Sequence, residues 1–270
     1  MTYIKLALID SDGHVRAKGD GIGFARLDMH YITYDPGDCI VLECDNDDAE
    51  LEIRLDESLL PSTVALKGGR FVFPIPFGEA RDPYGVTAFT GDRHWGYARV
   101  IDDRERDNWR NLALNSHDHL TQQSLFPHAA TNTGETRPVF MARNAIDGIW
   151  ESSRHGRWPY SSWGINGRED ALLRIEFGRE VDARELVLML RADYPHDGWW
   201  SSIQCTCSNG SVANLPIAKT GDPQRFPLEC NRITWIELSH FVRSADSSPW
   251  VALSQVAVMG RDAKPFQSHH

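Results

Sequence analysis

Two stretches of this chain hold side chains suited to gripping a polar ligand. The first is His155-Gly-Arg-Trp-Pro-Tyr160-Ser-Ser-Trp163, which follows the Asp147-Gly148 turn signal; the second is Arg191-Ala-Asp-Tyr-Pro-His-Asp-Gly-Trp-Trp200. Flat aromatic faces next to ring-edge hydrogen bonders suit a molecule with apolar faces and polar edges, such as a sugar. An indole can stack on the C–H face of a sugar ring, while carboxylate and guanidinium groups each offer two matched hydrogen-bonding positions to neighbouring hydroxyls. The chemistry expected of these residues is therefore recognition. The other reading is structural, with Arg191 and Asp193 bracing their loop and the Trp residues filling a core.

A catalytic reading also stands. Asp193, His196 and Asp197 are sufficient parts for acid–base chemistry, and a glycosidase needs two acids placed across a glycosidic bond. No Gly-x-Ser-x-Gly, Walker loop, His-Glu-x-x-His or dinucleotide fingerprint is present. Gly19-Asp-Gly-Ile-Gly23 is rich in glycine but lies among strand patterns with no helix after it. Non-catalytic glycan binding ranks first and a carbohydrate-active enzyme second. A third reading, a protein–protein interaction scaffold, rests on Tyr, Trp and Arg being the residues of interface hot spots.

The elements that must position these loops read as β throughout. Tyr3 to Ile9, Cys39 to Glu43, Leu51 to Leu55, Thr63 to Leu66, Arg70 to Ile75 and His94 to Ile101 form short runs divided by turn residues. Strand signals return at Leu172 to Phe177, Glu185 to Leu190, Ser202 to Cys207, Ile233 to Leu238 and Val251 to Met259. The expected organisation is an N-terminal β-sandwich over residues 1–102, a connector with one short helix over 103–137, and a second all-β domain over 138–262. The acidic run Asp45 to Asp48 lacks the spacing of a calcium loop and reads as a solvated hairpin turn. His117 and His119 lack a placeable third metal ligand and are expected to hydrogen-bond at an interface.

Composition bounds the partners. At 270 residues with 41% hydrophobic content, two domains can each bury a core, and a formal net charge of -10 argues against nucleic acid. No stretch approaches the roughly 18 to 20 apolar residues of a membrane span. The opening run is broken by Asp10 and Asp12 and reads as a strand, so the expected location is cytoplasmic. Five cysteines without a Cys-x-x-Cys pair are read as buried free thiols. A homo-oligomer is compatible with all of this.

Residues of the second half are similar to the discoidin family, also called the coagulation factor 5/8 C-terminal type, whose bacterial relatives include family 32 carbohydrate-binding modules. The matching pieces are Asn144-Ala-Ile-Asp-Gly148, a Trp at Trp150 or Trp163, Leu173-Arg-Ile-Glu-Phe-Gly178 and Trp250-Val-Ala-Leu-Ser-Gln-Val-Ala-Val-Met-Gly260, spanning about residues 138 to 262. The resemblance implies an eight-stranded jelly-roll sandwich that binds galactose-like or other glycans through loops at one end, without catalysis. It implies that the two polar loops lie side by side. His155, Trp158, Tyr160, Trp163, Arg191, Asp193, His196, Asp197 and Trp199 would then form one ligand-binding cleft. It also implies a structural calcium ion at Asp147, although Gln255 stands where the family often has a Glu ligand. Two N-terminal segments, Phe73-Pro-Ile-Pro-Phe77 and Glu79 to Tyr84 through Trp95, either share that cleft or form another, or the former is a packed edge strand.

Overall fold

The computed structural model describes residues 1–120, 123–194, 196, 198–245 and 248–264. The first half holds β1 (Tyr3–Ile9), β2 (Val15–Ile22), β3 (Phe24–His30), β4 (Cys39–Cys44), β5 (Asp48–Arg54), β6 (Ser62–Lys67), β7 (Arg70–Pro74) and β8 (Arg93–Val100). Next come α1 (Asp103–Asp107), β9 (Arg110–Asn111), β10 (Leu125–Phe126) and β11 (His128–Thr131). The second half holds β12 (Trp163–Gly164), β13 (Leu173–Leu190), β14 (Trp200–Cys207), β15 (Val212–Pro216), β16 (Gln224–Arg243) and β17 (Ala252–Asp262). The protein is all-β, and among the described residues no helix is long and apolar enough to cross a membrane.

Period-two alternation decides the first sandwich. In β3 and β5 every second residue is buried, as a strand with one face on a core requires. Sheet β2–β1–β4–β7 packs on sheet β10–β6–β5–β8–β3. Ile4, Leu6, Ile40 and Phe71 from the first meet Leu27, Leu51, Ile53 and Val64 from the second in one core. The glycine-rich run that carried no strand signal is the hairpin β2–β3. A Cβ on Gly19 would lie 1.8 Å from the Arg26 carbonyl oxygen, so the glycines allow two backbones to meet at the edge of the sandwich.

The second sandwich is one continuous eight-stranded sheet folded over by its two longest strands. Leu173 to Glu176 of β13 pair with β11 on one side and with Trp235 to Leu238 of β16 on the other. Beyond Gly178, which has a φ of 67°, the register shifts; residues Val181 to Leu190 then pair with β17 and the first part of β16. What reads in sequence as separate strands, Leu172 to Phe177 and Glu185 to Leu190, is thus one strand turning a corner from layer to layer. Both layers bury their inward residues, among them Ile175, Leu188, Cys205, Leu238 and Val256, in a second core. Cys39, Cys44, Cys205, Cys207 and Cys230 are all free, and the last three are buried.

The stretch expected as a connector is woven into both sandwiches. α1 opens on a capping box between Asp102 and Glu105, β9 pairs with β17, β10 with β6, and β11 with β13. Two- to four-residue strands are too short to show a period, which is why this weaving leaves no sequence signal.

Residues 115–118 lie between the two cores. The Ser116 N–H donates to Ser62 Oγ at 3.2 Å, the Asn115 N–H to the Ile146 carbonyl at 2.9 Å, and His128 Nδ1 meets Asp118 Oδ1 at 2.7 Å. His117 is fully buried and its Nε2 accepts the Leu55 N–H at 3.1 Å, so it hydrogen-bonds at the interface. Burial, helped by the Arg143 charge, pushes its pKa down to about 3. Unfolded chains take up this proton near pH 6.5 and the folded chain only near 3. Its contribution to stability is therefore present above pH 6.5 and lost as pH falls, at about 1.4 kcal/mol per unit. Thermal melts from pH 7 to 4 should show this acid limb, and His117→Gln should flatten it. An unchanged limb in the variant would assign it to other groups.

Candidate functional site

The loop leaving Asp147-Gly148 returns to the core at β12, and its tip carries His155 to Tyr160. It lies beside the loop that follows β13. The Ala192 N–H donates to the Ser152 carbonyl at 2.8 Å, and exposed His155 holds Asp193 through Nδ1–Oδ2 at 2.5 Å. His196 is also exposed, and its N–H closes a turn onto the Asp193 carbonyl at 2.8 Å. Asp197 lies outside the described residues.

On its other flank the same loop docks on the first sandwich. The Trp158 N–H donates to the Asp82 carbonyl at 2.8 Å and Arg157 Nε meets Asp82 Oδ2 at 3.1 Å. Asp82 directly follows the 3-10 turn Gly78–Arg81, so the loop after β7 forms a second wall. Between the walls lies an open concavity of about 380 Å³ bounded by Arg81, Asp82, Tyr84, Val86, Arg157 and Trp158. Trp158 is 39% exposed, which leaves part of its indole free for a ligand. Tyr160 is half-buried and its N–H donates to the Arg157 carbonyl at 3.0 Å.

Arg143 supports this floor from behind. Buried, it donates from Nε to the Asp118 carbonyl at 2.9 Å and from Nη2 to the Ser116 carbonyl at 3.1 Å. Its guanidinium also covers the Tyr84 ring at 4.6 Å. Sequence reasoning did not single out Arg81, Asp82 or Arg157 as parts of one site. The only signal was the mixture of charge and aromatics from Glu79 to Tyr84, which did not say what that segment faces.

Three residues expected in the cleft serve the fold instead. Trp163 is 0% exposed because β12 turns it inward, where its Nε1 donates to Thr131 Oγ1 at 3.2 Å. Arg191, 4% exposed at the end of β13, donates from Nη2 to the Trp250 carbonyl at 2.5 Å and lies over the Phe140 ring. Trp199 is half-buried and packs against the second core. The expected cleft thus divides: His155 and Asp193 pair on one side of the loop, and Trp158 faces the first sandwich on the other.

Asp147 Oδ1 accepts from the Ile149 N–H at 2.9 Å and from Gln255 Nε2 at 3.0 Å, while Gln255 Oε1 is buried without a partner among the described residues; a calcium ion here would need oxygens in place of these donors. Burial pushes this carboxyl up to about 7, against the opposing pull of Arg143. The folded state therefore keeps a proton that the unfolded chain releases near pH 3.8, so the stability contributed by Asp147 is present below that value and lost as pH rises through about 7. Asp147→Asn is expected to raise the melting temperature at pH 8 and leave it nearly unchanged at pH 4, with added calcium shifting neither protein. A calcium-dependent rise in the wild type alone would restore the metal reading.

No protein-family model matches the chain, and no curated protein matches it. Among solved structures it is similar to chitosan-binding module 1 from a chitosanase/glucanase of Paenibacillus sp. IK-5, at 19% identity over 56% of this chain and 99% of that one, TM-score 0.39. It is also similar to a fucose-binding module of Streptococcus pneumoniae, at 14% identity over 58% of this chain and 99% of that one, TM-score 0.39. A third is the family 32 carbohydrate-binding module of C. perfringens NanJ in complex with galactose, at 14% identity over 48% of this chain and 91% of that one, TM-score 0.36.

Proposed function

We propose that this protein binds glycans without transforming them, and that the ligand seats where the Trp158 loop meets the first sandwich. The observation that carries this reading is the partly exposed Trp158 indole set in an open concavity beside the Arg157–Asp82 pair. A flat apolar face with carboxylate and guanidinium groups around it meets the needs of a sugar ring, which is apolar on its faces and hydroxylated around its edge. The second wall comes from residues the resemblance to discoidin domains does not cover, so the N-terminal sandwich takes part in binding.

Glycan-array screening followed by calorimetry on the hits tests the reading. Saturable binding with no product formed is the expected result. Turnover of an oligosaccharide would instead favour the carbohydrate-active enzyme, and a blank array would favour a protein-binding surface.

A further inference from the structure

The wall of the concavity formed by the first sandwich carries a cation that nothing in the fold uses. Arg81 ends the 3-10 turn Gly78–Arg81 and is only partly exposed, yet its guanidinium has no hydrogen-bond or ion-pair partner among the described residues. The other charged groups lining the concavity, Arg157 and Asp82, neutralise each other at 3.1 Å. Glu79, on the same turn, is exposed and lies outside it. The lining therefore holds one uncompensated positive charge in a protein whose net charge is -10. A partly desolvated guanidinium presents a planar fork of N–H donors that a carboxylate matches in two parallel bonds.

We infer that the glycan is acidic, a uronic-acid-type saccharide that stacks on Trp158 and places its carboxylate on Arg81. This rests on the glycan-binding reading above. A neutral sugar would use the Arg157–Asp82 pair and leave Arg81 without a partner; a uronate uses both. Arg81 here determines specificity and is not needed to hold the fold together.

The test compares galacturonate, glucuronate and mannuronate oligosaccharides with their methyl esters, which keep shape and remove charge, and with neutral galacto- and gluco-oligosaccharides. Affinities are measured by calorimetry on wild type, Arg81→Gln and Trp158→Ala. The wild type should bind one of the free acids about tenfold or more tighter than its ester, as expected for a charge-assisted bidentate contact. That preference should weaken as salt rises. Arg81→Gln should bring the ratio close to one without changing the melting temperature, and Trp158→Ala should weaken acid and ester alike. Equal affinity for acid and ester in the wild type, or a preference that survives Arg81→Gln, overturns the inference while leaving glycan binding intact. Failure to bind any saccharide overturns both.

Discussion

Trp158→Ala is expected to weaken glycan binding by about thirtyfold or more in a protein that stays folded, the range for removing a central aromatic anchor. Trp163→Ala, five positions on in the same motif, should destabilise the protein by about 3 to 5 kcal/mol. The contrast follows from burial alone. Trp158 is 39% exposed over the concavity and is tied to the first sandwich by its backbone N–H, a bond that alanine keeps. Trp163 is 0% exposed, packs on Phe241 at 5.6 Å between ring centres and donates to Thr131, so its loss leaves a cavity and removes one of the bonds to the Thr131 hydroxyl, which still donates to the Leu172 carbonyl. Calorimetric titration with a glycan hit and chemical denaturation separate the two effects. A Trp158→Ala protein that binds normally would remove the concavity from consideration, and a stable Trp163→Ala protein would show that the core can collapse around the gap.

Asp262→Ala is expected to cost about 3 to 5 kcal/mol, the scale for removing one partner of a buried ion pair. Asp262 closes β17 with its side chain 7% exposed and receives Arg110 Nη2 at 2.5 Å and Arg179 Nε at 2.7 Å. Arg110 comes from β9 in the connecting stretch, and Arg179 sits next to the Gly178 corner of β13. One carboxylate thus joins three distant pieces of chain. Burial alone would raise its pKa; the two guanidinium groups overcome that and hold it below the usual carboxylate range. Its contribution is therefore present above the unfolded value and lost as pH falls below it. Arg110 and Arg179 also donate to backbone carbonyls, but among the described residues neither forms an ion pair with any other carboxylate, and Arg110 Nε and Arg179 Nη2 already lack partners. Urea denaturation of wild type, Asp262→Asn and Asp262→Ala measures the loss, with the asparagine intermediate because it keeps the acceptor oxygen without the charge. Near-wild-type stability of the alanine variant would show that the cluster is solvated.

Strand content was legible because alternation is local. Leu51-Glu-Ile-Arg-Leu55 shows its buried face residue by residue, and Asn209-Gly210 marks the turn between β14 and β15. The β2–β3 hairpin was not legible, since the glycines that let Gly19 approach Arg26 remove the side chains that would have shown a period. The corner in β13 was hidden for a related reason: the register shifts after Glu176 interrupt the alternation, so one strand reads as two. The resemblance to discoidin domains implied that the loops carrying His155 and Asp193 lie side by side, but not that these two residues pair. The meeting of Arg157 with Asp82 had no counterpart in any local pattern.

The sequence by itself determined that the chain is all-β, and it showed aromatic and charged residues gathered in two stretches of the second half. These follow from the order of neighbouring residues, which a strand or turn expresses directly. Only the tertiary structure decided that Trp158 is exposed while Trp163 is core, that Arg191 is a brace, and that a loop of the first sandwich supplies Arg81 and Asp82 to the concavity. Which face an isolated aromatic or arginine presents depends on what packs against it from far along the chain, and that partner leaves no periodic trace in the residues beside it.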